Sequence, residues 1–248
     1  MLDRKSSREI KTLQDGGHLL SLILKQLVKL VKPHQTGIFL DRQATQLISQ
    51  AGGRSSFLNY RGFPASLCVS VNDTVVHGIP NDRPFRAGDI VGLDIGMIYK
   101  KLYTDMAVTV AVGKIRPEVS QLLAVTKEAL EIGIEQVGPN NYIGDIGRAI
   151  ENFIKPYGYG IVRDLAGHGV GRRVHEDPLV PNFNPSHKLE KMFPGLVIAI
   201  EPMLIMGGDH RVETASNNWD VHSSDGSLTA HFEHTVAVTK TGHLVLTK

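Results

Sequence analysis

The spacing of apolar side chains along the chain predicts four helices. Apolar residues recur at helical intervals from about residue 6 to residue 31, and Pro33 closes the pattern. A second helix is expected over residues 41–50. Residues 117–137 and 143–156 fit two more helices, which a Gly-Pro-Asn turn separates.

Short runs of β-branched and apolar residues predict strands elsewhere. Two strands flank an Asn72-Asp73 turn, and residues 90–99 and 102–112 are expected to pair. Further strands are expected at 196–201, 203–206, 229–238 and 243–247. This mixture predicts an α+β fold. Because no linker or low-complexity tract interrupts it, we expect a single domain over residues 1–248.

Composition excludes several classes of protein. The 248 residues are 42% hydrophobic and 21% charged, which is ordinary for a globular protein. The net charge of +2 comes from scattered charges and gives no indication of nucleic-acid or membrane binding. The single cysteine, Cys68, excludes an internal disulfide. The polar start of the chain is not a signal peptide, so we expect a cytoplasmic location.

Two segments of the chain resemble each other. Residues 88–94 and 195–201 both begin with glycine, continue as an apolar strand and end on an acid, Asp94 or Glu201. The repetition is short, and it is compatible with chance. It also suits a fold built from two related halves that meet at a shared site.

Asp94 and Asp105 lie on the two strands of the predicted hairpin. A turn near residues 99–100 would place them directly opposite each other, with Cβ atoms about 5 Å apart. Two carboxylates so placed repel unless a proton or a cation lies between them. An exposed strand would let both reach water instead. The apolar neighbours on both strands favour burial and a cation.

The other candidate residues are histidines and acids next to glycines or at strand ends. His168 and His175 lie in the glycine-rich segment 166–178, and Glu201 and Glu233 lie beside apolar strands. A carboxylate buried there requires a partner or a metal ion, whereas one at the surface requires neither. Glu176 and Asp177 are interpreted as surface acids, and His77 alone as a turn residue. Four carboxylates and one imidazole together suit two divalent ions of Mn, Fe, Co or Zn, and hence hydrolysis.

The motifs together resemble those of the type I methionine aminopeptidases of the pita-bread family. They are SFLNYRGFPASLCVSVNDTVVHGIP, GDIVGLDIG, YTD, GHGVGRRVHEDP, AIEP and FEHT, in that order along nearly the whole chain. The resemblance implies a pseudo-twofold antiparallel sheet with helices on its outer face. It implies removal of the initiator methionine from nascent proteins, with a preference for small second residues.

The resemblance also implies a role for each matching residue. Asp94 would bind one of two divalent ions, His168 and Glu201 the other, and Asp105 and Glu233 both. Glu201 would also act as general base, and His77 and His175 would contact the scissile amide. The methionine pocket would be lined by Tyr60, Phe63, Cys68 and Trp219. The implied partners are nascent N-termini and, transiently, the ribosome, with a monomer as the default state.

Some positions depart from the family pattern. The turn between the two aspartates contains Tyr99-Lys100-Lys101 in place of the usual Asp-Gly type, and Val174 precedes His175 where an aromatic residue is common. Gly96 is shared with proline-specific relatives, so an aminopeptidase P or prolidase is the alternative enzyme. A binding module without activity is the alternative from another class. Such modules lose metal-ligating residues, whereas this sequence has a ligating residue at each of the five positions.

Overall fold

The computed structural model describes residues 2–248. The helices are α1 (Ser7–Leu30), α2 (Gly37–Gln50), α3 (Pro117–Glu135) and α4 (Ile143–Ile154). The strands are β1 (Arg54–Ser55), β2 (Leu67–Val71), β3 (Thr74–Val76), β4 (Ile90–Tyr99), β5 (Leu102–Ala111), β6 (Gly160–Ile161), β7 (Gly167–Gly169), β8 (Glu176–Val180), β9 (Val197–Ile200), β10 (Met203–Ile205), β11 (Val212–Thr214), β12 (Val221–Ser223), β13 (Thr229–His231), β14 (Glu233–Val238) and β15 (His243–Val245). Within residues 2–248, no helix has the length and apolar content needed to span a bilayer.

The largest sheet is antiparallel and has nine strands. Its order is β1-β4-β5-β14-β9-β7-β8, with β2 paired to β4 and β15 paired to β14. Two smaller sheets, β13-β10-β6 and β11-β12-β3, lie beside it. One apolar core forms between the large sheet and α1 and α2, and another forms where α3 and α4 pack.

The two segments that resemble each other in sequence occupy equivalent places in the sheet. Gly88 leads into β4 with φ 97°, and Gly195 leads into β9 with φ 95°. The Gly88 N–H donates to Val112 O and the Gly195 N–H to Val238 O, each at 2.9 Å. The structure therefore agrees with the expectation of two related halves.

Local chemistry accounts for the helix boundaries. Ser6 and Glu9 form a capping box at the start of α1, as the predicted start near residue 6 requires. Helix α2 begins at Gly37, four residues before the predicted residue 41, because the Thr36 side chain accepts from the Phe39 N–H at 3.2 Å. Helices α3 and α4 each end two residues earlier than predicted.

The β4–β5 hairpin has a different register from the one predicted. Tyr99 pairs with Leu102, so the turn residues are Lys100 and Lys101. Asp94 consequently lies opposite Ala107, and Asp105 lies opposite Gly96. The predicted direct pairing of the two aspartates is wrong by two residues. Because side chains alternate along a strand, an offset of two keeps both carboxylates on one face, in diagonal positions.

Candidate metal centre and substrate cavity

A cavity of about 500 Å³ opens on one face of the large sheet. It is lined by all eleven predicted site residues: Tyr60, Phe63, Cys68, His77, Asp94, Asp105, His168, His175, Glu201, Trp219 and Glu233. They come from segments that are far apart in the chain. The fold therefore brings the whole predicted set to one place.

Five neighbouring strands each supply one of the candidate metal ligands. In sheet order these are Asp94 on β4, Asp105 on β5, Glu233 at the start of β14, Glu201 directly after β9, and His168 on β7. Backbone hydrogen bonds between adjacent strands fix the spacing of these side chains. The ligand set thus stands on rigid elements, as a precise metal site requires.

The side chains are close enough to share ions. One ligand atom each of Asp105, His168 and Glu233 lies within 4.8 Å of the others. His168 Nε2 is 3.6 Å from Glu201 Oε1. His168 Nδ1 lies 2.9 Å from Gly169 O, so that nitrogen carries the proton and Nε2 presents its lone pair to the cluster.

The protein itself does little to balance the negative charges of the buried carboxylates. Within residues 2–248, the buried Asp94 Oδ1 and Asp105 Oδ1 have no hydrogen-bond partner. Burial, with repulsion from Asp105 and Glu201, raises the pKa of Asp94 well above its usual value. Burial also raises the pKa of Glu233 well above normal and the pKa of Asp105 to about 6. Divalent cations would satisfy the orphan oxygens and the excess charge, so the residues present fit a metal centre.

Glu201 differs from the other three acids. Burial pushes its pKa up, but the adjacent His231 and His168 rings, which favour the ionised carboxylate, outweigh burial and lower the pKa. His231 Nε2 lies 3.4 Å from Glu201 Oε2. Glu201 therefore stays ionised more readily than its neighbours.

Two histidines stand near the cluster. Loss of water around the ring lowers the pKa of His77, and the same effect together with His168 lowers that of His175 to about 4. Both are neutral near pH 7 and can each donate one N–H. His175 Nδ1 lies 3.0 Å from the Tyr60 hydroxyl, and its ring is centred 4.3 Å from the His168 ring.

Apolar side chains form one wall of the cavity. The rings of Phe63 and Trp219 meet edge to face at 5.0 Å. Cys68 and Val174 are buried in the same cluster. Burial raises the pKa of the Cys68 thiol well above normal, as do Asp94 and Asp105, so this sulfur acts as an apolar surface and not as a nucleophile.

Sequence reasoning missed two residues around this cavity. Glu176 was interpreted as a surface acid, and this is wrong: its side chain is 3% exposed and pairs with Lys5. Glu176 lies on the same face of β8 as the buried Pro178 and Val180, and this spacing of two is the sequence signal that could have placed it. His231 was not selected either, although it lies two residues before Glu233. Asp177 is exposed, as expected.

Comparison with known proteins identifies the family. The model of metallopeptidase family M24 matches residues 11–240. The chain belongs to this family. A methionine aminopeptidase of Clostridium perfringens is 41% identical over 247 residues, covering 100% of this chain and 99% of the relative. Membership makes the protein a metal-dependent hydrolase, and the carboxylate and histidine cluster is the candidate site for the metal.

Solved structures confirm the fold. The methionine aminopeptidase from Thermotoga maritima superposes with a TM-score of 0.97 at 36% identity, and each chain covers 100% of the other. The fold is therefore the predicted pita-bread fold. The prolidase from Pyrococcus furiosus gives a TM-score of 0.79 at 20% identity, and the match covers 65% of that chain. That likeness shows a shared fold alone.

Proposed function

We propose that this protein is a methionine aminopeptidase that removes the initiator methionine from nascent proteins. The observation that carries the proposal is the convergence of the five ligand residues, two histidines and an apolar wall on one cavity. Similarity over the full length of proteins named methionine aminopeptidase supports the choice of substrate.

Asp94, Asp105, His168, Glu201 and Glu233 would hold two divalent ions of Co, Mn, Fe or Zn. Their order across the sheet supports two sites: Asp94 lies at one end, His168 and Glu201 at the other, and Asp105 and Glu233 between them. In this arrangement Asp105 and Glu233 would be the residues shared by both ions. When bound, the ions supply acidification of a water and polarisation of the scissile carbonyl.

Side chains of the protein accept the proton and orient the scissile amide. Glu201 accepts the proton of the attacking water, and its lowered pKa keeps it ionised for this task. His77 and His175 remain neutral and donate hydrogen bonds to the scissile amide and to the charge that develops on its oxygen. The hydrogen bond between His175 and Tyr60 orients the His175 ring.

The apolar wall selects methionine. Tyr60, Phe63, Cys68 and Trp219 line one side of the cavity. An unbranched thioether packs well against aromatic rings and a buried sulfur. A preference for small second residues rests on the similarity to methionine aminopeptidases.

A direct substrate comparison tests the proposal. Metal-loaded protein should release methionine from Met-Ala-Ser and leave Xaa-Pro peptides intact. Glu201→Gln should lower kcat by about 10²-fold or more, because it removes the general base. Glu213→Gln, a change at an exposed acid, is the matched control and should retain full activity. Preferential cleavage of Xaa-Pro peptides would establish the proline-specific alternative, and no cleavage of either would favour a binding module.

The proposal extends to the cellular setting. The substrate is an N-terminus that has just left the ribosome, which supports transient association with the ribosome, in the cytoplasm. Scattered surface charge and a single buried cysteine agree with this. We treat the working enzyme as a monomer, since each ligand and pocket residue comes from one chain.

A further inference from the structure

The segment ahead of α1 buries a lysine beneath the part of the chain that carries His175. The side chain of Lys5 is 1% exposed and that of its partner Glu176 is 3% exposed. The desolvation of two buried charges offsets much of their attraction, so such a pair is poor evidence for a gain in stability. A role in fixing a particular local geometry accounts for it better.

The Glu176 carboxylate binds the backbone of the residues just before it. One carboxylate oxygen pairs with Lys5 Nζ. The other accepts the N–H groups of Arg172 at 2.6 Å and Arg173 at 2.8 Å. Residues 171–176, here called the His175 loop, are therefore folded around a single carboxylate, and that carboxylate is held by Lys5.

Lys5 is held by a backbone hydrogen bond, and its side chain packs against a glycine. Its backbone N–H donates to Gly195 O at 2.8 Å, next to the strand that leads to Glu201. Its aliphatic stem passes Gly171, where a Cβ atom would collide with Lys5 Cε. Gly171 has φ 141°, a conformation that favours glycine. Because Gly171 has no side chain, the first residue of the His175 loop leaves room for the lysine.

A second set of ion pairs connects the segment ahead of α1 to the His175 loop. The Arg172 guanidinium lies 2.6 Å from Asp3 and 2.9 Å from Glu9. These groups are partly exposed and each adds little alone. Together with Lys5 they attach the underside of the His175 loop to residues 3–9.

His175 stands directly before Glu176, so the position of its ring follows the position of this carboxylate. The ring is centred 4.3 Å from that of His168 and touches the Tyr60 hydroxyl. A displacement of about 1 Å at a reacting group can lower a rate by about 10²-fold. Loss of the Lys5 charge would leave Glu176 buried without its counter-ion and release the loop.

The geometry points to Lys5 as a positioning residue that acts through Glu176 to hold His175 over the metal-binding side chains. This inference rests on the role proposed above for His175. It makes residues 3–9 part of the catalytic scaffold, although none of them lines the cavity.

The test is whether the effect of Lys5 depends on His175. Lys5→Met, which keeps the length but removes the charge, is made in the wild type and in His175→Ala, and kcat and KM for Met-Ala-Ser are measured on Mn-loaded protein. We expect Lys5→Met to lower kcat about tenfold or more in the wild type, and less than about twofold in His175→Ala. Lys11→Met removes an exposed lysine that pairs with Asp15, and it should leave kcat unchanged.

Each other outcome has a definite meaning. An equal loss of kcat in both backgrounds would show a merely structural role and overturn the inference, as would unchanged kcat in Lys5→Met. Full activity of His175→Ala would refute the proposed role of His175 and this inference with it. Glu176→Gln provides a second test that remains valid if Lys5→Met does not fold: its effect should likewise disappear in His175→Ala.

Discussion

The carboxylate cluster should destabilise the protein when metal is removed, and Asp105→Asn tests this effect. The substitution removes the penalty of Asp105 itself and also its repulsion of Asp94 and Glu233. The pKa of Asp105 is raised from 3.8 to about 6 in the folded protein. The folded state therefore binds this proton more tightly than the unfolded state, and stability is lost as the pH rises from about 4 through 6. Two pKa units correspond to about 3 kcal/mol. Asparagine carries no charge and avoids this penalty.

Urea unfolding of chelator-treated protein at two pH values measures the effect. Asp105→Asn should be more stable than the wild type by at least about 3 kcal/mol at pH 7.5 and by at least about 1 kcal/mol at pH 4.5. The lowered pKa values of His77 and His175 affect both proteins alike and cancel. Asp82→Asn, at an exposed position, should change stability by less than about 0.5 kcal/mol at either pH.

Two results would refute this reasoning. One is an Asp105→Asn protein no more stable than the wild type at pH 7.5. The other is a stability difference that does not change with pH. Added Mn should narrow this difference, because a metal that binds only the folded wild type at 100 times its Kd stabilises it by about 2.7 kcal/mol.

Two further predictions concern the elements that carry the ligands, and thermal unfolding checks both. Lys100 and Lys101 have φ 47° and 72° in the β4–β5 turn. Lys101→Gly should stabilise the protein by about 0.5–1 kcal/mol, because glycine relieves the strain of a positive φ. Lys114→Gly, where φ is ordinary, should destabilise it by about the same amount. A loss of stability at both sites would contradict the strain argument. Thr235→Val should cost about 1–3 kcal/mol, because the buried Thr235 Oγ1 accepts from Asp105 N at 2.9 Å and donates to Asp105 O at 2.7 Å. An unchanged melting temperature would contradict that assignment.

The elements and ligands that sequence predicts well are those set by local chemistry. The capping box at Ser6 and the apolar periodicity of α1 define that helix within the chain itself. Alternation along β4 and β5 keeps Asp94 and Asp105 on one face in the observed register, because it differs from the predicted one by two residues. The motif order then identifies the remaining ligands as a set.

What sequence could not predict depends on contacts between distant segments. The register of the hairpin is decided by a turn in which both lysines adopt positive φ, a conformation that their residue type does not signal. Glu176 is buried only because Lys5, 171 positions away, comes to lie beneath it. His231 gains its place beside Glu201 through β13, which pairs with β10 directly after that acid.

Anomalous diffraction from a Mn-loaded crystal grown with methionine tests the central claim most directly. The account predicts two Mn peaks about 3.5–4 Å apart, with Asp105 and Glu233 contacting both and the methionine side chain against Phe63 and Trp219. A single peak, or peaks outside the cluster of Asp94, Asp105, His168, Glu201 and Glu233, would contradict it.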